Sequence, residues 1–189
     1  MKHVAVWRCL AWGLVFWLPG AGPVSSSTMR AQSRDERAVR AAYVYNLIKY
    51  VEWPAPGKDL TIALVGDAGT GEVISQLLNG RTREGQTLRV VQPVSVEALQ
   101  GCSVVYVSAA PESDIRKILE RVKGRPILTV GESDGFARAG GMVALVNTGD
   151  HIQIEVNLEA VQAGGIRISS RVLGLATIVH SAAKGGDGR

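Results

Sequence analysis

Apolar residues recur at helical spacing in three segments of this chain, residues 35–52, 70–79 and 112–123, and each segment is predicted to form a helix. In the first segment the apolar residues occupy two faces, so this helix is expected to be heavily buried or to contact a partner. Pro54 and Pro56 follow it and are predicted to end it, because a residue before proline avoids helical backbone angles.

Short, continuous apolar runs lie between these segments and predict buried strands. The predicted strands span residues 60–66, 86–94, 102–108 and 126–132. Residues 142–147 and 151–157 predict an antiparallel hairpin, whose second strand alternates apolar and polar side chains and is expected to be half-exposed. A short helix is predicted over residues 157–165, and residues 166–179 fit either a strand followed by a helix or a single helix.

The order of these elements, in which strands and helices alternate along the chain, predicts the fold class. We expect an α/β fold: a single three-layer domain with a mainly parallel central sheet, an antiparallel edge hairpin and flanking helices. The domain is predicted to cover residues 34–180, because neither an internal repeat nor a linker divides it. Residues 181–189 are predicted to be a disordered tail.

Residues 1–33 have the layout of a secretory signal peptide. Lys2 and Arg8 supply positive charge, and the uncharged apolar run at residues 9–18 is too short for a membrane span of roughly 20 residues. We expect cleavage near residues 27–33 and export of the remainder. The alternative is an uncleaved anchor.

Export changes the charge and cysteine content that the folded domain carries. Removal of Lys2, Arg8 and Arg30 reduces the 21 basic residues to 18 against 17 acidic ones, so the net charge falls from +4 to about +1. A nucleic-acid partner is therefore not expected. Cys102 becomes the one remaining cysteine and lies in an apolar run, which predicts a buried thiol. The alternatives are a reactive redox thiol and a disulfide between two chains, which would form a homodimer.

A glycine-rich turn and two histidines are the features closest to an active site. Gly66, Gly69 and Gly71 match neither the dinucleotide fingerprint nor a P-loop, so a tight turn between a strand and a helix is the better interpretation. His151 and His180 lack the spacing of metal ligands, and the sequence does not indicate a catalytic pair of a nucleophile and a base. These residues therefore show no evident active site and predict no cofactor, and by themselves they do not say what the protein does.

Aromatic residues are concentrated in one segment, residues 41–54. One hypothesis is that Tyr43, Tyr50 and Trp53 anchor the first helix to the sheet, where each would remove a large apolar area from water. The other is that Tyr45 and Trp53 lie at a partner or dimer surface, where large side chains with a polar group are favoured.

Four charged residues lie near each other in the sequence towards the C-terminus: Glu155, Glu159, Arg167 and Arg171. A solvated face of ion pairs is the plain interpretation. The alternative is contact with an anion or a partner, because the arginine side chain offers a rigid fork of hydrogen-bond donors.

Three stretches carry a resemblance to a known family: VRAAYVYNLIKYVEWP at residues 39–54, GCSVVYVS at 101–108, and residues 127–179. The third is the most specific, with Gly-Phe-Ala before Gly140-Gly141-Met142, Glu-Val-Asn-Leu at 155–158 and Ile-Ser-Ser at 168–170. Together they cover nearly the whole chain after the leader. In this order they resemble the YfiR-like family of small periplasmic proteins.

The resemblance implies that the protein is not an enzyme and has a role that composition and spacing do not reveal. Members of this type are periplasmic repressors that bind the periplasmic sensor domain of an inner-membrane diguanylate cyclase and hold it inactive, which lowers cyclic di-GMP and biofilm formation. Some members respond to redox state through disulfides, and an outer-membrane lipoprotein can sequester them. Because this chain keeps only Cys102 after the leader, a redox switch through an internal disulfide is not available to it.

Two functions are carried forward, each with its own candidate residues. For the repressor we expect partner contacts at aromatic and basic residues: Tyr45, Trp53, Arg167 and Arg171. The alternative function is a periplasmic small-ligand-binding module that feeds another membrane sensor, such as a histidine kinase. For that function the sequence suggests a polar pocket formed by Asn46, Arg81 and Glu155.

Overall fold

The computed structural model describes residues 26–182 apart from residues 56, 94 and 150, with side chains described from residue 35 onward. Residues 1–25, which hold most of the predicted signal peptide, and residues 183–189 of the predicted tail lie outside this range. The helices are α1 (Ser26–Lys49), α2 (Ala68–Leu78), a 3-10 helix (Val96–Gly101), α3 (Glu112–Val122), α4 (Leu158–Ala163) and α5 (Ser170–Leu173). The strands are β1 (Val51–Glu52), β2 (Asp59–Val65), β3 (Thr82–Arg83), β4 (Gln86–Val91), β5 (Val104–Val107), β6 (Leu128–Gly131), β7 (Val143–Asn147), β8 (Ile152–Asn157), β9 (Arg167–Ile168) and β10 (Thr177–Val179).

Within the described residues, eight strands form one sheet in the order β10-β8-β7-β6-β5-β2-β4-β3. Strands β4, β2, β5, β6 and β7 are parallel neighbours, whereas β3 and β8 run antiparallel to β4 and β7. β1 and β9 form a separate two-stranded antiparallel sheet. The predicted α/β class with a mainly parallel central sheet is confirmed.

Helices cover both faces of this sheet. α1, α2, α4 and α5 supply side chains to one apolar cluster, and we call this side the α1 face. α3 and the 3-10 helix supply a second cluster on the opposite side, the α3 face. Successive residues of β5 alternate between the two, since Val104 and Tyr106 belong to the first cluster and Val105 and Val107 to the second. The three layers therefore follow from continuous apolar strands that must be covered on both faces.

The predicted hairpin forms from β7 and β8, with Leu145 opposite Ile154. It lies one strand inside the edge of the sheet, because β10 pairs in parallel with the outer side of β8 and places Ile178 beside Val156. Residues 154–157 are consequently buried. The prediction that this strand is half-exposed is wrong, because it assumed that no further strand covers it.

The first helix ends at Lys49 and not at residue 52 as predicted. Val51 instead pairs with Ile168 in the short β1–β9 sheet, and the amide of Ser169 donates to the carbonyl of Tyr50 at 2.9 Å. These bonds compete with the last turn of a helix, and they need a segment more than 100 residues away in the chain.

Residues 166–179 form a strand, a helix and a second strand. The interpretation as a strand followed by a helix is right as far as Leu173. Gly174 caps α5, and residues 177–179 then form β10, which neither interpretation included. The turn ended by Gly174 allows the chain to return to the sheet beside β8.

Candidate functional site

α1 runs along the parallel strands from one end to the other. Its first half reaches the carboxyl ends of the strands, where Arg37 lies beside Asp67 after β2 and Arg40 beside Glu132 after β6. Its second half lies at the amino ends, where Lys49 is followed by β1. We call these two regions the carboxyl edge and the amino edge.

At the carboxyl edge, charged side chains of α1 pair with groups of the sheet. Nη2 of Arg40 lies 2.8 Å from Oε1 of Glu36, and its Nε lies 3.7 Å from Oε1 of Glu132. The same Glu132 oxygen accepts the hydroxyl of Tyr106. Burial, together with the neighbouring carboxylate, raises the pKa of Tyr106, so this hydroxyl stays protonated and acts as a donor. The Arg40 and Glu132 side chains are only 13% and 14% exposed, so this network holds α1 against the sheet.

The glycine-rich turn leads from β2 directly into α2, as predicted for a tight turn between a strand and a helix. Oδ2 of Asp67 caps α2 by accepting from the amide of Thr70 at 2.7 Å and from its hydroxyl at 2.9 Å. The hydrogen bond from the Thr70 amide is the main reason that the pKa of Asp67 is lowered, and the Arg37 guanidinium at 3.4 Å adds to it. A Cβ on Gly69 would lie 2.6 Å from Nη1 of Arg37, so this glycine makes room for the guanidinium. The helix start that a phosphate would need is thus occupied by the protein's own carboxylate.

At the amino edge, cationic side chains lie over aromatic rings. Nζ of Lys49 and Cζ of Arg81 are each 5.2 Å from the centre of the Tyr45 ring, and Cζ of Arg83 is 5.5 Å from the ring of Trp53. These distances are in the range of cation–π contacts. We call the set of Tyr45, Lys49, Trp53, Arg81 and Arg83 the aromatic–cationic surface.

Trp53 is fixed in this surface but only half-buried. Its Nε1 donates to the carbonyl of Ser103 at 3.3 Å, just before β5. The indole lines two cavities, one of about 360 Å³ shared with Arg83 and Glu84 and one of about 180 Å³ shared with Cys102. A large aromatic side chain that is held by a hydrogen bond and bordered by cavities is the type of residue that anchors a protein interface.

Arg83 was not predicted as a contact residue, and it connects Trp53 to the backbone of β1. Its side chain is 9% exposed, and Nη2 donates to the carbonyl of Val51 at 2.8 Å. The signal in the sequence is the Glu84-Gly85 pair, whose backbone φ angles of 48° and 81° form the two-residue turn between β3 and β4. That hairpin turn places Arg83 beside Trp53.

The structure brings together some of the predicted contact residues and separates others. Tyr45, Trp53 and Arg81 share the aromatic–cationic surface, and Asn46, the residue after Tyr45 in α1, is exposed. Arg167 pairs with Glu52 at 2.8 Å in the neighbouring β1–β9 sheet. These residues therefore belong to one end of the molecule.

Glu155 lies elsewhere, on the α3 face, where it is 6% exposed and pairs with Arg138 at 3.1 Å. The pocket suggested by Asn46, Arg81 and Glu155 is therefore not assembled. Arg171 is exposed in α5. Of the predicted charged group, Glu159 pairs with His180 at 3.0 Å and not with a nearby arginine.

Cys102 is a free, buried thiol with 9% of its surface exposed. Its Sγ lies 3.7 Å from the carbonyl of Ala98, and burial raises its pKa. A raised pKa keeps the thiol protonated and lowers its reactivity.

A third cavity, of about 330 Å³, lies at the carboxyl ends of β2 and β4. It is bordered by the start of α2 at Asp67 and by Gln92 and Ser95 of the segment that leaves β4. Among the described residues, no group of three His, Cys, Asp or Glu side chains is placed to hold a metal ion. None of the helices in the described part of the chain is long and apolar enough to cross a membrane.

The fold and this surface define an α/β domain whose half-buried aromatic rings and neighbouring basic groups suit contact with another molecule. The YfiR/HmsC-like family model matches residues 37–177, and the chain belongs to this family. It is a family of periplasmic, non-catalytic regulators of diguanylate cyclases, so the general role of this chain is regulatory.

Among solved structures, the chain is similar to an ABC domain in complex with L-Trp from Streptococcus pneumonia. The identity is 12% and the TM-score is 0.46, over 64% of this chain and 55% of that chain. This chain thus spans about half the length of the solved protein that it matches.

Proposed function

We propose that this protein is a periplasmic repressor that binds the periplasmic sensor domain of an inner-membrane diguanylate cyclase and keeps the cyclase inactive. Repression lowers cyclic di-GMP in the cell and reduces biofilm formation. Family membership supports the regulatory role. The observation that carries the contact is the half-buried Trp53 beneath the Arg83 guanidinium at the amino edge.

The aromatic–cationic surface and the adjoining β1–β9 sheet supply the binding site in this proposal. Lys49, Arg81, Arg83 and Arg167 outnumber Glu52 and Glu84 there, so the surface carries net positive charge. Glu52 and Glu84 are paired with Arg167 and Arg83, so the positive excess rests on Lys49 and Arg81. A partner segment with acidic side chains around an apolar centre fits these features, because opposite charges steer the encounter and aromatic anchors supply the affinity.

Repression by contact needs a difference in affinity between two states of the partner. The protein holds the cyclase inactive if it binds the inactive state of the sensor domain more tightly than the active one. The strength of repression is then limited by that difference in affinity and not by the affinity itself.

The first test measures cellular cyclic di-GMP in a deletion strain. It includes complementation by the full gene and by a copy that lacks residues 2–33. A rise in cyclic di-GMP on deletion, corrected only by the copy that keeps these residues, is the expected result. Unchanged cyclic di-GMP on deletion would overturn the repressor proposal.

A variant connects this cellular test to the surface. Trp53→Ala is expected to behave like the deletion while the protein accumulates normally in the periplasm. Arg116→Ala, which removes a 69% exposed arginine from α3 on the other face of the sheet, is the matched control and is expected to restore repression. Full repression by Trp53→Ala would show that the aromatic–cationic surface is not the binding site for the cyclase.

The same surface is our proposal for the site that an outer-membrane lipoprotein would cover when it sequesters the repressor. A homodimer through Cys102 is the less favoured association, because this thiol is 9% exposed. Migration of the exported protein on a non-reducing gel tests it. A monomer band is expected, and a dimer band that disappears on reduction would contradict the assignment of a structural thiol.

A second candidate function is a small-ligand-binding module that feeds another membrane sensor, such as a histidine kinase. The cavity at the carboxyl ends of β2 and β4 favours it, because ligands of open α/β sheets bind at that end of the strands. A thermal-shift screen against amino acids and nucleotides distinguishes this function from pure protein contact.

A further inference from the structure

We infer that the cavity at the carboxyl ends of β2 and β4 binds a small primary ammonium compound with an apolar chain. The inference gives a chemical class to the ligand of the second candidate function. It concerns the purified protein alone, so its failure would leave the test of cyclase repression unaffected.

The cavity arises from the topology of the sheet. The connection that leaves β2 forms α2 on the α1 face, whereas the connection that leaves β4 forms the 3-10 helix on the α3 face. Neighbouring strands whose connections pass to opposite faces leave a crevice at their carboxyl ends. Leu64 from the first face and Leu99 from the second both line this crevice.

The walls are mainly apolar. They are formed by side chains from both faces of the sheet and from the crossing segment: Leu64, Val65, Ala68, Pro93, Val96, Leu99 and Ile118. The volume of about 330 Å³ lies at the small end of the range of ligand pockets. A short hydrocarbon chain suits such walls, because its transfer from water is favourable and the lining has few polar groups to desolvate.

The polar groups of the lining specify the other end of the ligand. Asp67, Gln92 and Ser95 line the cavity, and each of these side chains carries an oxygen that can accept a hydrogen bond. An ammonium group has three N–H donors and no acceptor, which matches three acceptor oxygens. An anion is less favoured there, because Arg37, which lies 3.4 Å from Asp67, is already paired with that carboxylate.

Asp67 keeps capacity for such a ligand although it already caps α2. The hydrogen bonds from Thr70 and the ion pair with Arg37 end on Oδ2, and the backbone amide of Gly69 also lowers the pKa of this carboxyl group. The side chain is 39% exposed, and its Oδ1 is the oxygen that we assign to the ammonium group. A hydrogen bond between two charged groups is stronger than one between neutral groups, so the charge of the ligand should decide its affinity.

The test is calorimetric titration of the purified protein with hexylamine at pH 7, where it is protonated, and with 1-hexanol as the neutral compound of equal chain length. We expect the ammonium compound to bind at least about tenfold more tightly than the alcohol. Binding of neither compound, or equal binding of both, would overturn the inference.

Three variants locate the site. Asp67→Asn keeps an oxygen that can cap α2, so it is expected to fold and to lose the preference for the ammonium compound. Ala68→Leu adds bulk to the cavity wall and is expected to weaken binding of both compounds. Asp114→Asn changes an exposed carboxylate of α3 and is expected to keep the wild-type preference.

An unchanged preference in Asp67→Asn would also overturn the inference. If Asp67→Asn does not give the wild-type far-ultraviolet circular dichroism spectrum, Asp67→Ser takes its place, since serine is an equally good residue before a helix.

Discussion

The two ends of the parallel strands use charged side chains in different ways. At the carboxyl edge, arginines of α1 pair with acidic side chains of the sheet, as Arg40 does with Glu132. At the amino edge, Lys49 and Arg81 lie over the ring of Tyr45 and Arg83 over Trp53. An ion pair cancels most of both charges, whereas an aromatic ring attracts a cation without neutralising it.

This difference separates a region that stabilises the fold from one that is suited to a partner. The Arg40–Glu132 pair at the carboxyl edge is largely shielded from water, so it holds α1 in place. The exposed Lys49 and Arg81 are positioned by the Tyr45 ring and retain charge that reaches into solvent, whereas Arg83 also pairs with Glu84 at 3.4 Å. Substitutions at the carboxyl edge should therefore change stability, and substitutions at the amino edge should change binding.

The largest effect is expected from Arg40→Ala. The substitution leaves Glu132, which is 14% exposed, without its cationic neighbour, and removal of one partner from a buried pair costs about 3 kcal/mol. Urea unfolding of the purified protein measures the loss. Arg116→Ala removes a 69% exposed pair with Glu112 and is the control, with an expected change below about 0.5 kcal/mol. Equal effects of the two substitutions would show that Arg40 stabilises the fold no more than an exposed arginine does.

Trp53→Ala comes next and should act on binding. Truncation of an aromatic anchor typically costs about 2 kcal/mol, so affinity for the cyclase sensor domain should fall about thirtyfold. Titration of the sensor domain measures this, and the thermal midpoint of the variant should fall by only a few degrees. Trp53→Phe loses the hydrogen bond to Ser103 but keeps a ring, and it should retain most of the affinity. A large drop in midpoint with unchanged affinity would assign Trp53 to the core.

Acidification should act through Asp67 at the carboxyl edge. Its pKa in the folded protein is held below the usual 3.8, first by the hydrogen bond from the Thr70 amide, so the charged form favours folding. This contribution is present above about pH 4 and is lost as the pH falls through the lowered pKa. Thermal midpoints between pH 6 and pH 2.5 should show a gap between wild type and Asp67→Asn that closes on acidification. A gap that is constant with pH would exclude the carboxylate charge as its cause.

The smallest effect on stability is expected from Arg167→Ala. Arg167 and Glu52 are 83% and 67% exposed, and such a pair contributes less than about 0.5 kcal/mol. In low salt, the same variant should bind the sensor domain more weakly than the wild type does. In high salt, this difference in affinity should shrink, because screening removes the contribution of an exposed charge. A destabilisation as large as that of Arg40→Ala would show that the amino edge is also structural.

The sequence predicted the layers of this fold because strands such as β5 are continuous apolar runs and α3 has one apolar face. It did not predict β10, because residues 173–179 contain only uncharged residues that fit a helix as well as a strand. It also missed β1, two residues long, whose hydrogen bonds to β9 exist only after distant segments meet. Short strands depend on tertiary contacts and not on local pattern.

The candidate site was also predicted in part. The enrichment of aromatic residues near residue 50 led to Tyr45 and Trp53, because few residue types suit an interface so well. Arg83 was not predicted, since its position depends on the turn at Glu84, a non-glycine residue with a positive φ of 48°. The pocket suggested around Glu155 failed because strand register placed that carboxylate on the α3 face beside Arg138.

α1 is a single helix of 24 residues, which corresponds to a rod about 36 Å long. Buried residues such as Val44 and Ile48 pack the second half of this helix against the sheet. Arg37 at the carboxyl edge and Lys49 at the amino edge are twelve residues apart on the same helix, which corresponds to about 18 Å. One continuous helix therefore joins the two edges.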